Sequence, residues 1–198
     1  MRRRRGISGH GVTASLSACL RRFGRDERGI GAIEFAILFP VLLMLYLGAF
    51  ELTLGLSVAK RTTRAAGSIA DIVSQQTSVT KSTFSPMPSV ASAILAPYTT
   101  TSLTLKITGV QLDASGSGTV TWSWAQDGSK PYATGSAVSV PSDLSQPSTF
   151  LIRTELALPY QLLSFGADFL PAGSNEITIS RQYYYRPRTA DAITCSDC

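Results

Sequence analysis

The feature that most constrains this chain is a long apolar run near its N-terminus. Residues Ile30 to Ala59 read IGAIEFAILFPVLLMLYLGAFELTLGLSVA, in which only Glu34 and Glu51 are charged. As a helix rising about 1.5 Å per residue, this run would extend roughly 45 Å, compared with roughly 30 Å of bilayer hydrocarbon. A helix in a globular core would keep a polar stripe, whereas residues 36–47 are apolar on every side. The run therefore predicts a transmembrane helix over residues 30–59.

The basic residues are concentrated ahead of this run. Eight of the 18 Lys and Arg residues are arginines within the first 29 positions, whereas residues 30–198 carry ten basic and eleven acidic side chains. A nucleic-acid-binding domain needs cations clustered on its folded surface, so this distribution argues against a nucleic-acid partner. The Arg-rich flank instead predicts a cytoplasmic N-terminus and an exterior location for residues beyond about 60, which in a bacterium is the periplasm.

Few side chains after residue 29 are suited to catalysis. The one histidine is His10, and the cysteines of this part are Cys195 and Cys198. A nucleophile paired with a histidine base is therefore excluded there, and two thiolates alone leave a zinc site two ligands short. We expect no enzyme activity, no metal and no other cofactor. The terminal CxxC favours a small disulfide in an oxidising compartment, with pairing between two chains as the alternative.

Glu34 is a carboxylate five residues into the apolar run. An unpaired charge inside hydrocarbon costs about 2.5–3.5 kcal/mol, so such a residue suggests a function. A positive charge about one helical turn away could pair with this carboxylate, either within one chain or between neighbouring chains. The alternative is an interfacial acid whose side chain reaches water.

The context of Glu34 resembles a known processing site. A basic leader, a Gly, four further residues, a Glu and an aromatic residue together resemble the prepilin site of tight-adherence (Flp/Tad) type IV pili. The wider stretch of roughly residues 21–75 resembles the TadE-like family of minor pseudopilins. Pro40 within the span, and Gly48 followed by Glu51 near its outer end, are part of this resemblance.

This resemblance implies a maturation step and a set of partners. A membrane prepilin peptidase would cut after Gly29, so that Ile30 becomes the first residue and the leader 1–29 is removed. Glu34 and Phe35 would then be assembly residues. The implied partners are the prepilin peptidase, other pilin-like subunits, the pilus assembly platform and membrane lipid.

Pro40 predicts an irregularity within the transmembrane helix. Proline has no backbone N–H, so the carbonyl of Ala36 loses its helical partner. Neighbouring groups in a membrane can satisfy the freed carbonyl, and we expect a kink at this position.

Beyond the membrane the helical pattern continues and then changes. Ala65, Ile69, Ile72 and Val73 recur at helical spacing, which predicts an extension over residues 60–76. The following TSVTKSTFSPMPS has the composition of a loop, and Val90 to Leu95 could form a short helix.

In the rest of the chain, apolar and polar residues alternate with a period of two. This alternation predicts a β-hairpin around ASGSG, with a bulge at Gly109, and two further strands. The apolar positions that mark the four strands are Leu103, Leu105, Ile107; Val120, Trp122, Trp124; Phe150, Ile152, Thr154, Leu156, Leu158; and Ile177, Ile179, Tyr183, Tyr185. The two Trp share parity with Val120, which predicts core positions for them. The run Tyr183 to Tyr185 indicates either a strand edge packed on the helix or a contact surface.

These patterns together predict an α+β chain. A leader (1–29), a transmembrane helix (30–59) and a helical extension (60–76) would precede a periplasmic β-rich domain (77–198) of about four antiparallel strands. The leading hypothesis is a single-pass inner-membrane pseudopilin that stays in the membrane or enters a surface pilus. An uncleaved membrane-anchored periplasmic binding module is the alternative. An enzyme would have to rely on scattered carboxylates such as Asp113, Asp143 or Glu155.

Overall fold

The computed structural model describes residues 29–161 and 176–198, so the predicted leader, apart from Gly29, lies outside the described residues. The described residues divide into two compact units, with the boundary between Phe50 and Glu51. The elements in chain order are α1 (Ile30–Ser74), β1 (Ser78–Val79), α2 (Lys81–Phe84), α3 (Met87–Leu95), β2 (Thr104–Leu112), β3 (Gly118–Ala125), β4 (Ala137–Val138), β5 (Phe150–Gln161), β6 (Glu176–Tyr185) and β7 (Thr194–Cys195), with a 3₁₀ turn at Ser142–Leu144 between β4 and β5.

Helix α1 is 45 residues long and begins directly after Gly29. In the second unit it buries one face, where Val58, Thr62, Ala65, Ile69 and Val73 recur every three or four residues. This spacing forms the apolar stripe by which a surface helix packs on a core. The helix ends at Ser74, two residues before the predicted end, and its last turn is closed by the Gln76 N–H donating to the Val73 carbonyl at 3.1 Å.

The larger sheet is antiparallel and five-stranded, with the order β4-β3-β2-β5-β6. The prediction of an α+β chain with a long N-terminal apolar helix is therefore confirmed. The sequence predicted about four strands because β4 contains only two residues, which pair with Gly118 and Thr119. Two residues are too few to show an alternating pattern.

The prediction of a loop after the helix was wrong in part. Residues 78–79 form β1, which pairs in parallel with β7 near the C-terminus, and two short helices follow. Thr80 precedes α2, and its N–H donates to the Thr83 hydroxyl at 3.2 Å. Pro88 lies in the first turn of α3, where a missing N–H costs no helical hydrogen bond. The Ser, Thr and Pro residues of this segment thus mark the starts of helices as well as turns.

The sheet has apolar residues on both faces. The main core joins α1, α2 and α3 to one face, and it includes Leu105, Ile107, Trp122, Trp124, Phe150, Ile152, Leu156 and Leu158. A smaller cluster on the opposite face contains Val110, Leu112 and Leu151. Trp122 and Trp124 are each 5% exposed, so their predicted core positions are confirmed.

The pairing of β2 with β3 shifts in register after Gly109, which confirms the predicted bulge at this position. The extra residue of the bulge lies on β3 and not on β2. Gly109 pairs with Trp122 and Val110 pairs with Val120, which leaves Thr121 of β3 unmatched. The bulge turns Val120 towards the face of Val110. The prediction that Val120 shares a face with the two Trp was therefore wrong, because a bulge breaks the period-two parity.

Strand β6 forms one edge of the sheet, and its tyrosines point to both faces. The Tyr183 ring lies against α1, 3.6 Å from where a side-chain carbon on Gly67 would stand. The rings of Tyr183 and Tyr185 stack with centroids 5.9 Å apart, whereas Tyr184 packs on the smaller cluster. The predicted packing of this strand edge on the helix is confirmed.

Candidate functional site

The predicted processing site lies at the start of α1. Gly29 directly precedes the helix, and Gly31 is its second residue. A side-chain carbon added at either position would meet no atom of the described chain within 4 Å. Packing against the described residues therefore does not explain a glycine at position 29.

The predicted assembly residues follow on the same helix. Glu34 lies four residues after Ile30, a rise of about 6 Å, and its side chain is exposed. The Phe35 side chain is 64% exposed, and its ring contacts that of Phe39 at a centroid distance of 5.4 Å. The helix thus keeps a carboxylate and an aromatic ring on its surface within two turns of its start.

The surface around these residues is apolar. The most apolar 18-residue window of α1 has a mean hydropathy of 2.3, and none of it is buried. In the described part of the chain, α1 is the one helix long and apolar enough to cross a membrane. Large apolar side chains that α1 exposes include Ile33, Ile37, Leu38, Phe39, Val41, Leu42, Leu43, Met44, Leu45 and Phe50. Removing this surface from water requires lipid or other apolar helices.

Pro40 lies inside α1, and the helix continues through it to Ser74. The proline removes one backbone donor from the exposed apolar part of the helix. A kink at Pro40 stays a prediction.

Glu51 has a partner that the sequence did not indicate. The hydroxyl of Tyr160, near the end of β5, donates to Glu51 Oε1 at 3.5 Å. Burial raises the pKa of the Tyr160 phenol, and the adjacent Glu51 carboxylate raises it further, so this hydroxyl stays protonated and remains a donor. The two residues are 109 positions apart, and no local pattern connects them.

The C-terminal cysteines are joined to each other. Cys195 and Cys198 form a disulfide with their Cα atoms 5.6 Å apart. Asp197 lies beside them, with its carboxylate and the two sulfur atoms within 4.8 Å of one another. Sulfur atoms in a disulfide are not thiolates and so do not bind zinc as cysteine ligands do. The Asp197 carboxylate instead accepts a hydrogen bond from the Lys81 N–H at 2.9 Å.

The carboxylates that an enzyme would need lie in three different settings. Asp113 is in the turn after β2, Asp143 is in the 3₁₀ turn, and Glu155 is on β5. Glu155 forms an ion pair with Arg153 and accepts a hydrogen bond from the Tyr132 hydroxyl at 3.1 Å. Burial raises the pKa of Tyr132, and Glu155 adds to the effect. Opposite charges two residues apart on a strand share a face, which is the signal that could have predicted this pair.

The start of the exposed helix α1 coincides with the start of a match to a known protein family. Residues 29–71 match the family model described as TadE-like protein. No curated protein and no solved structure shows significant similarity to the chain. The match begins at Gly29, includes Glu34, Pro40 and Glu51, and ends three residues before α1 does. Residues 29–71 of the chain are therefore similar to the TadE-like family.

Proposed function

We propose that the chain is a minor pseudopilin, a structural component of a tight-adherence pilus or of its secretion machinery. The match of residues 29–71 to the TadE-like family model supports a role related to Tad pilus assembly. The observation that carries the finer proposal is that the family match begins at Gly29, immediately before an exposed apolar helix. In this function the chain assembles with other subunits and performs no catalysis of its own.

The exposed part of α1 spans the inner membrane once. The Arg-rich segment ahead of it stays in the cytoplasm, and the sheet domain lies in the periplasm. The burial of Val58 and Ala65 in the core of the sheet domain supports a span of about residues 30–50, shorter than the predicted 30–59. Twenty-one residues of helix extend about 31 Å, which suits the hydrocarbon thickness.

A prepilin peptidase matures the chain by cutting after Gly29. Among residues 29–161 and 176–198, none would contact a side-chain carbon at this glycine, which supports recognition by another protein as the reason for a residue without a side chain. The cut removes residues 1–29, with their eight arginines, and leaves Ile30 as the first residue.

Glu34 neutralises the amine that this cut creates. The carboxylate is exposed and lies one helical turn from Ile30, so it can reach its own terminus or that of a neighbouring subunit. Phe35 and the surrounding apolar side chains would pack against the helices of neighbouring pilin-like subunits or the assembly platform. An intermolecular ion pair in hydrocarbon would fix the register of adjacent subunits, because leaving either charge unpaired is costly.

Replacement of Glu34 tests this function. A Glu34→Leu chain should still enter the membrane and be cut, because the substitution makes the segment more apolar and leaves Gly29 intact. Its contribution to surface pili should fall on the order of 100-fold, since an unpaired ammonium in hydrocarbon costs about 2.5–3.5 kcal/mol. The measurement is the amount of sheared surface pili from the native host, normalised to the matured protein in membranes.

Glu34→Asp is the matched control, because it keeps the charge with a shorter side chain. This variant should support more pili than Glu34→Leu. Normal piliation by Glu34→Leu would contradict the assembly role of the carboxylate. Isolation of the native protein with residues 1–29 still attached would favour the alternative of an uncleaved membrane-anchored binding module.

A further inference from the structure

A cavity of about 380 Å³ lies on the sheet face that carries the smaller cluster, where β5 and β6 face the segment that follows β4. Its described lining residues are Ser139, Pro141, Arg153, Gln182 and Tyr184. Tyr184 on β6 is the direct cross-strand partner of Arg153 on β5, so the two side chains stand next to each other. All of these residues belong to the sheet domain.

Arg153 is the charged member of this described lining, and the residue is only 9% exposed. Side chains two positions apart on a strand share a face, so Arg153 lies beside Glu155 and forms an ion pair with it. Arg153 donates from Nη2 to Glu155 Oε1 and, at 3.0 Å, to the Tyr132 hydroxyl. Among residues 29–161 and 176–198, no acceptor faces its Nη1 group. Since a buried guanidinium is costly unless its N–H groups are paired, Nη1 is suited to a ligand.

The Glu155 carboxylate is shared between several donors. Its Oε1 atom accepts from Arg153, from the Tyr132 hydroxyl at 3.1 Å and from Gln182 Nε2 at 3.2 Å. Two neutral donors therefore compete with the guanidinium for one carboxylate oxygen. The part of the cavity lining that the structure describes contains no carboxylate of its own. A ligand in the cavity would thus meet the guanidinium and not a like negative charge.

The lining favours a carboxylate with an apolar group attached. Guanidinium N–H groups form charge-assisted hydrogen bonds to carboxylates, and these bonds are stronger than those to neutral acceptors. The Ser139 hydroxyl supplies a second donor at the wall of the cavity. Pro141 and the Tyr184 ring supply apolar surface beside these donors. One guanidinium balances one negative charge, which favours a carboxylate over a doubly charged phosphate.

We propose that this cavity binds the carboxylate of a small organic acid or of a peptide C-terminus. The carboxylate accepts hydrogen bonds from Arg153 Nη1 and from the Ser139 hydroxyl, and the apolar part of the ligand lies against Pro141 and Tyr184. The site is independent of the proposed membrane span and of the cut after Gly29, because each of its residues belongs to the sheet domain.

Ligand-observed NMR with the full-length chain in detergent tests this site. Benzoate should bind about tenfold more tightly than benzamide, which has the same ring and no charge, because a hydrogen bond to a charged group is the stronger one. An acetylated Gly-Gly-Phe peptide with a free C-terminus should likewise bind more tightly than its amidated form. A preference for the free peptide over benzoate assigns a peptide terminus, and the opposite preference assigns a small organic acid.

Two variants test the cavity itself. Ser139→Phe should fill it and weaken benzoate binding about tenfold, while leaving the ion pair of Arg153 with Glu155 in place. Ser89→Phe is the matched control, because Ser89 is exposed on α3 and does not line the cavity. Combining Arg153→Met with Glu155→Leu should abolish the preference for benzoate over benzamide and keep the fold, since a buried ion pair can be exchanged for apolar residues with little loss of stability. Circular dichroism verifies that each variant is folded.

Three results would overturn the proposal. These are equal binding of benzoate and benzamide by the unaltered chain, no saturable binding of either carboxylate probe, and benzoate binding that Ser139→Phe leaves unchanged. The Ser139→Phe result holds even if the double variant fails to fold. None of these results would change the proposed pilus function, because Gly29 and Glu34 take no part in the cavity.

Discussion

At the scale of single residues, Gly109 lets a tryptophan lie across the sheet. A side-chain carbon at position 109 would stand 2.5 Å from Trp122 Cε2 and 2.7 Å from Phe150 Cζ. The Trp122 indole therefore occupies the space that another residue would fill. Its Nε1–H donates to the Ile193 carbonyl at 2.7 Å, so the same ring also ties the C-terminal segment to the core.

Gly109→Ala should destabilise the protein by about 1–3 kcal/mol, because the added carbon overpacks two buried rings. Gly67→Ala is the matched control. Its added carbon would make ordinary contact with Tyr183 at 3.6 Å, and alanine favours the helix by about 1 kcal/mol relative to glycine. Urea unfolding of the full chain in detergent, followed by tryptophan fluorescence, measures both. Equal stability of the two variants would contradict the packing described for Gly109.

At the scale of secondary structure, the turn between β2 and β3 is organised by one carboxylate. Asp113 Oδ1 accepts hydrogen bonds from the Ser115 N–H at 2.8 Å, the Ser115 hydroxyl at 2.7 Å and the Ser117 N–H at 2.9 Å. The hydrogen bond from the Ser115 hydroxyl, followed by that from the Ser117 N–H, lowers the pKa of Asp113. These bonds favour the ionised carboxylate, so the turn is best held when Asp113 is charged.

Asp113→Ala should lower the thermal unfolding midpoint at pH 7, and this deficit should shrink at about pH 2. The folded-state pKa lies below the unfolded value near 3.8, so the stabilisation is present above that value and is lost as the pH falls through the folded pKa. Asp191→Ala, at an exposed position in the C-terminal segment, should change neither midpoint. A deficit of Asp113→Ala that persists undiminished at low pH would show that the charge is not responsible.

The elements differ in how far local patterns reveal them. Strands β2, β3 and β5 have eight or more residues each, and they were predictable because apolar and polar residues alternate along much of each strand. The face of β5 from Phe150 to Leu158 is buried as expected. Strands β1 and β4 have two residues each, and β1 is defined by pairing with β7 across more than 100 residues. Local periodicity carries no information on such pairing.

The residues of the candidate site also differ in how far the sequence predicted them. Gly29, Glu34, Phe35 and Pro40 were predicted from a contiguous motif, and the structure keeps the last three of them on one helix. The contact between Tyr160 and Glu51 depends on how the sheet domain folds back on α1, which no short motif encodes. The apolar run in the sequence identified the helix. Only the folded domain showed which part of the helix is buried and which part is exposed.

At the scale of the whole molecule, the family match and the fold cover different parts of the chain. The match over residues 29–71 lies almost entirely on α1, whereas the five-stranded sheet lies outside it. The TadE-like segment supplies the features proposed for maturation and membrane insertion. The sheet domain contributes contacts that this segment alone could not make, such as that of Tyr160 with Glu51.

The most direct test of the proposed maturation is the mass of the N-terminal peptide from native membranes. We expect the first residue to be Ile30, with residues 1–29 absent. Gly29→Leu should retain the leader, because the added side chain obstructs the peptidase and not the fold. Gly31→Leu, with equally open surroundings, should still be cut after Gly29. A native peptide that begins at Met1, or normal removal of the leader from Gly29→Leu, would contradict the account.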